Sequence, residues 1–239
     1  MGCDMVLLLP KASIGFKPEY LDFDRGIRVG NLEENERITR ILKLALEARH
    51  QQDFVTERYG RGVFWQWIGF LAKANRAAKP ISSHISFGCS KFFIMVDREE
   101  RCFQCGMQVE RGYLKAPGEY PRCQLQEDWD WHRLLASLKA GSKMEKELRR
   151  LVCQEEFVIA GGGWDEGLTK YGKSSFPPMN SLRKVLEKAG PDGWAGFQVS
   201  YPMPEAEVKS STGVDLIESM LAIFEETILL MNFCMQIQL

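Results

Sequence analysis

Acidic residues are missing from one long stretch of this chain, and basic residues from another. From Arg58 through Val96 there is no aspartate or glutamate, yet Arg58, Arg61, Lys73, Arg76, Lys79 and Lys91 fall within it. From Ser210 to Leu239 there is no lysine or arginine, yet Asp215, Glu218, Glu225 and Glu226 do. The formal net charge of −1 conceals this asymmetry. A total near zero excludes a global pull toward nucleic acid or acidic lipid, so any electrostatic role is local.

Other features are scarce as well. Val6–Leu9 is too short for the apolar region of a secretion signal and lacks a basic lead. Met1-Gly2-Cys3 resembles the start of a lipidated protein, but Val6 stands where a myristoylation site has serine or threonine. The apolar run Ile228–Met231 is short and follows Glu225 and Glu226, so no membrane association is expected. The seven cysteines are odd in number and irregularly spaced, which describes reduced thiols and a cytoplasmic setting. There are three histidines, and no G-x-S-x-G nucleophile motif. No cofactor is implied.

What is present reads as an ordinary globular chain of 239 residues, expected to form a single mixed α/β domain over 1–239. The best break is the 161–178 loop. Ile38, Ile41, Leu42 and Ala45 recur at helical spacing, and Asn31 with Glu34 resembles a capping box, so a helix is expected over 32–51. Phe64, Trp67, Ile68 and Leu71 predict a second helix over 63–78, ending before Pro80. Short strands are expected at 5–9 and 81–87. Lys91–Asp97 and Cys102–Glu110, separated by Arg98-Glu99-Glu100, predict an antiparallel hairpin. Further helices are expected from Asp128 to Gly141, over 143–154, from Asn180 or Ser181 to Gly190, and from Thr212, with Asp215 as its capping partner, toward Leu239. Phe157–Ala160 and Trp194–Tyr201 read as strands. The fold class is α+β: an antiparallel sheet with a central hairpin at about 91–110, covered by several amphipathic helices.

Four groups of residues invite chemistry. Gly167-Leu168-Thr169-Lys170-Tyr171-Gly172-Lys173-Ser174 matches the phosphate-loop pattern in full, with Gly167, Gly172, Lys173 and Ser174 at its defining positions. Its context does not match. The nearest strand ends near Ala160, and Pro177-Pro178 follow where a helix should begin. Cys102 and Cys105 have half a zinc-knuckle spacing, with Cys89, Cys123 and His132 as further ligands, but strand alternation turns two residues three apart to opposite faces. No metal is expected. Asp128 and His132, at i and i+4 on a helix, would let a carboxylate orient an imidazole. Gly161–Gly163 reads as a tight exit from a strand.

The fourth group is the basic, aromatic stretch Arg58, Tyr59, Arg61, Trp65, Lys73, Arg76 and Lys79. Guanidinium and ammonium groups interleaved with rings hold phosphates and stack bases. A solvated face, or pairing with the acidic C-terminal segment, explains the same charges. The expectation is therefore a binding protein for an anionic partner such as nucleic acid. The alternatives are a nucleotide or phosphate-ester enzyme using Gly167–Ser174, and a homodimer built through residues 212–239.

Overall fold

A computed structural model describes residues 14–239 apart from His84. The strand expected at 5–9 and the placement of His84 lie outside the described residues. In chain order the strands and helices are β1 (Leu21–Asp22), β2 (Gly26–Arg28), α1 (Ile38–His50), β3 (Phe54–Arg61), β4 (Phe64–Ala72), α2 (Lys73–Ala77), β5 (Lys91–Asp97), β6 (Cys102–Arg111), α3 (Asp130–Ser137), α4 (Lys143–Gln154), β7 (Val158–Gly163), β8 (Thr169–Tyr171), α5 (Met179–Lys188), β9 (Ala195–Pro204), α6 (Glu205–Ser210) and α7 (Gly213–Cys234). The class is α+β. The nine described strands form one antiparallel sheet in the order β1-β2-β4-β5-β6-β9-β7-β8, with β3 along the other edge of β4.

Alternation along the strands divides the sheet into two unlike faces. Between β5 and β6, the pairs Phe92↔Met107, Ile94↔Cys105 and Val96↔Phe103 turn into the hydrophobic core. Helices α1, α3, α4, α5 and α7 contribute their apolar sides to the same core. The intervening pairs Lys91↔Gln108, Phe93↔Gly106 and Met95↔Gln104 face the other way.

The 63–78 segment corrects the sequence reading: it is a strand followed by a five-residue helix. Trp67–Ala72 is a continuous apolar run, which satisfies a helical spacing by accident. Both faces are occupied at this strand. Ile68, Phe70 and Ala72 enter the core, while Trp67 folds back over Gly69 on the opposite face. Aromatic and β-branched residues suit such a position. The expected strand at 81–87 is replaced by turns among its described residues. Helix α1 begins only at Ile38: Asn31 is left-handed with φ of 54°, residues 34–36 form a turn, Arg37 is extended, and Glu34 pairs with Arg40 in place of the expected capping box. Thr212 and Asp215 do form the expected capping box at α7, and Ser142 caps α4. The triple glycine lies inside β7, where Leu186 of α5 packs 2.8 Å from the position a Gly161 side chain would need.

Helix α7 lies in the core, leaving Leu229 as its exposed large apolar residue. Glu225 and Glu226 on it pair with Arg49 and Arg150 at 2.7 Å each, so these two acids bridge to α1 and α4 and not to the basic stretch. No helix among the described residues is long and apolar enough to cross a membrane.

The outward face is covered in part by the 78–90 and 112–129 segments, which meet at Asp128-Trp129-Asp130. Asp130 is fully buried and accepts from Lys79 Nζ (2.6 Å), Asn75 Nδ2 (2.8 Å) and the Ser90 amide (2.7 Å). Asn75 in turn accepts from the amides of Gln236 and Ile237. Asp128 does not cap α3; its carboxylate accepts from Ile81 N, Ser82 N and Ser82 Oγ. Trp129 Nε1 donates to Ser82 Oγ at 2.6 Å. We expect Lys79→Met to cost about 3–5 kcal/mol, because it leaves a buried carboxylate without its counter-charge. Urea unfolding measures this, and a loss under about 1 kcal/mol would show that the pair does not hold the cover.

His50 supplies a pH dependence. It stacks on Phe92 at 6.4 Å and tilts against Phe54 at 5.8 Å. Burial, with Arg49 adding repulsion, pushes its pKa down from 6.5 to about 4. Between these values the unfolded chain binds the proton and the native state does not. The stabilisation is complete above the unfolded value and is lost as pH falls toward the folded one. The denaturation midpoint should fall between about pH 7 and about pH 5, and His50→Phe should flatten that fall.

Candidate functional site

The outward face of the sheet is not fully covered. A cavity of about 890 Å³ opens on it, lined by Glu57, Tyr59, Trp67, Gln108, Glu110, Trp164 and Trp194 among others. That size suits a small organic ligand or one unit of a polymer.

Each indole has its own seat. Trp67 lies over Gly69, and its Nε1 donates to Gln108 Oε1 at 3.1 Å. Trp164 lies over Gly196, where a side chain would approach its ring to 2.7 Å. The Trp164 amide donates to the Trp194 carbonyl at 2.9 Å, which joins the two tryptophan segments. Trp194 packs edge-on against Phe87 at 5.0 Å and Tyr113 at 5.6 Å. Rings held in this way need little ordering when a ligand arrives.

A β-bulge adds a further residue to the wall. Tyr59 pairs with Trp67 but Gly60 pairs with Trp65, so Gln66 is the extra residue on β4. Gln66 and Trp67 therefore both line the cavity.

The floor is polar. Lys91 Nζ is fully buried between Glu57 Oε2 at 2.8 Å and Glu110 Oε2 at 2.7 Å. Burial alone would lower its pKa, but the two carboxylates outweigh that and hold it above the usual lysine value. Two carboxylates share one ammonium, which leaves one excess negative charge. The Oε1 atom of each carboxylate has no hydrogen-bond donor among the described residues. Gln108 Oε1 accepts from Trp67 and also from Gln198 Nε2 at 2.8 Å. This fixes the orientation of the amide, and Gln108 Nε2 is left as a donor with no partner among the described residues. The floor thus offers an amide donor beside carboxylate acceptors, between aromatic walls.

The residues expected from sequence are distributed differently. Arg58, Tyr59 and Arg61 lie at the end of edge strand β3; Arg58 and Tyr59 both border the cavity, but the Arg58 guanidinium does not enter it. Trp65 turns to the opposite face, where the Arg58 guanidinium stacks on it at 4.2 Å. Lys73 and Arg76 are on α2, beyond the far end of β4, about 25 Å along the strand. Lys73 pairs with Asp53 at 3.3 Å, and Arg76 donates to the Ser83 carbonyl. Lys79 is not a surface residue at all, being buried against Asp130. The seven therefore form no continuous surface.

In the phosphate-loop string, Gly167 makes a left-handed turn, Thr169–Tyr171 is edge strand β8, and Gly172 leads into a one-turn 3-10 segment carrying exposed Lys173 and Ser174. The next helix starts only at Met179. Cys102 and Cys105 point to opposite faces; Cys105 is in the core, where burial pushes its thiol well up. One trio, Asp97, Glu100 and Cys102, brings its ligand atoms within 4.8 Å of one another. Lys170 Nζ bridges both carboxylates, at 3.5 Å and 2.6 Å, and takes the place a cation would occupy. Asp128 does not orient His132, whose Nε2 lies 3.1 Å from the Gln126 carbonyl.

Sequence reasoning missed Glu57, Trp67, Gln108, Glu110, Trp164 and Trp194 as a group. The available signal was Gln104, Gly106, Gln108 and Glu110, polar or small at every second position of a strand whose other side is apolar. Known proteins offer no guide: no family profile, no curated protein and no solved structure matches the chain.

Gly69→Ala tests the seating of the wall. The new methyl would stand 2.4 Å from the Trp67 ring. We expect the ring to move off Gln108, with a changed tryptophan emission spectrum and a stability cost of about 1–3 kcal/mol. Wild-type emission in that variant would show that the ring does not rest there.

Proposed function

We propose that this protein is a binding module for a nucleobase-like ring, free or carried by a nucleic acid, held in the aromatic cavity of the outward sheet face. The observation that carries this reading is the floor: among the described residues Gln108 Nε2 is an unused donor and Glu110 and Glu57 present unused acceptors, between Trp67 and the Trp164–Trp194 pair. Base faces stack on indoles, and base edges combine a ring or carbonyl acceptor with an amino donor. Carboxylates accept from an exocyclic amino group, as they do from cytosine N4. They repel a carbonyl oxygen in the same position. The cavity therefore favours a base with an amino group, such as cytosine, over uracil.

Titration of tryptophan emission with cytidine and with uridine tests this. Cytidine should quench and bind roughly 5- to 150-fold more tightly, since an unpaired buried polar group costs about 1–3 kcal/mol. Trp67→Ala should weaken cytidine by roughly 5- to 150-fold, through the lost stack. Glu110→Gln should erase most of the preference over uridine. Equal, unsaturated quenching by both nucleosides would sink the proposal.

The excess negative charge between aromatic walls also supports a second reading, an organic cation held by ring faces. Saturable quenching by tetramethylammonium, in the absence of any response to cytidine, would favour it.

A further inference from the structure

The outward face continues beyond the cavity to a corner where β2 replaces β5 as the neighbour of β4. There β2 pairs with Phe64 and Trp65, while β5 pairs with Trp67 to Phe70. Arg28 is opposite Phe64 on one side, and Arg61 is opposite Phe64 on the other. Cross-strand partners share a face, so Arg28, Phe64 and Arg61 form one row over three strands. Arg61 lies two residues beyond Tyr59 on β3, which puts the row on the cavity's side of the sheet.

More positive charge converges on this row. Arg25, in the turn between β1 and β2, lays its guanidinium over the Phe64 ring at 4.2 Å. Arg98 donates to the Arg25 carbonyl at 2.8 Å. Gly26 packs against the backbone of Trp65 and Gln66, so the turn abuts a residue that lines the cavity. Asp22 pairs with Arg25 at 2.6 Å. Arg28 starts from this row, but its guanidinium turns over the Tyr20 ring at 5.6 Å, in the field of Glu36, which accepts from Tyr20. Arg61 and Arg98 have no carboxylate within 4 Å among the described residues. Three guanidiniums, of Arg25, Arg61 and Arg98, and one neutralising carboxylate around a half-buried ring amount to a site for phosphate.

We infer that Arg25 and Arg61 hold backbone phosphates of the strand whose base occupies the cavity, so that the ligand is a single-stranded nucleic acid and not a free nucleoside. This rests on the base-binding reading above. It differs from the basic stretch expected from sequence, because Arg25 and Phe64 enter and Lys73, Arg76 and Lys79 drop out. Duplex is disfavoured, since a paired base cannot enter a walled cavity without leaving its stack.

The test compares wild type with Arg25→Ala/Arg61→Ala, both exposed positions outside the cavity lining. Cytidine binding is followed by tryptophan emission. Binding of a labelled cytosine-containing single strand, and of the same sequence as duplex, is followed by anisotropy over a salt series. We expect single-strand binding to weaken with salt, and the log–log slope to become shallower by roughly 1.4 in the variant, about 0.7 for each lost phosphate contact. Cytidine binding should not change. An unchanged slope in the variant, salt-independent binding by wild type, or equal binding of duplex would each overturn the inference while leaving the cavity reading intact if cytidine still binds. A salt-sensitive strand affinity that is lost in the variant, with no response to cytidine, would keep the corner as a phosphate site and remove the base-binding reading instead.

Discussion

The arrangement of the outward face depends on one buried carboxylate. Asp130 collects an ammonium, a side-chain amide and a backbone amide from three parts of the chain. Through Asn75 it also reaches the backbone of Gln236 and Ile237. A carboxylate in a dry site is tolerated only when its lone pairs are satisfied, so the partners have little freedom to move. The consequence is geometric. The 78–90 segment, which carries Phe87, is fixed relative to the sheet, and Phe87 is one of the rings against Trp194. A polar contact at the start of α3 thereby braces one wall of the cavity, and through Ser90 it also meets the chain beside the floor residue Lys91.

The two faces of the sheet solve different problems. The helix side follows ordinary packing, with Leu, Ile, Phe and Met interdigitated in one core. The other side carries Lys91, Gln104, Gln108, Gln198 and Ser200 in buried positions. These residues satisfy one another in part: Gln198 with Gln108, and Lys91 with Glu57 and Glu110. The remaining polar atoms of Gln108, Glu57 and Glu110 open onto the cavity and are not sealed in the interior.

Much of the fold was legible in the sequence, and the failures have physical causes. Helices with strong caps and a single apolar side were read well, as at Ser142–Gln154 and Thr212–Cys234. The hairpin strands announced themselves through alternation. The 63–78 error arose because a strand covered on both faces has no period to detect, and its apolar run fits a helix equally well. The site was legible only in part. Tyr59 was singled out for its aromatic character and lines the cavity, whereas the charged end of Arg58 lies on the opposite face over Trp65. Gln108 and Glu110 carry no motif, and they matter through which strand faces them. Lys79 looked like a surface cation because its partner Asp130 is 51 residues away along the chain.

The bulge at Gln66 has a consequence for parity along β4. From Ile68 onward the even-numbered residues of this strand face the helices, but before the bulge it is odd-numbered Trp65 that does so. One extra residue thus shifts the alternation by half a period. In an unbroken strand, Gln66 and Phe64 would turn toward the helices and Trp65 would come out on the open face. The bulge lets a single strand present Trp67, Gln66 and Phe64 on the same surface. Deleting Gln66 would close the bulge into regular alternation and leave Trp65 and Phe64 on the faces they already occupy, at the loss of one residue from the cavity wall.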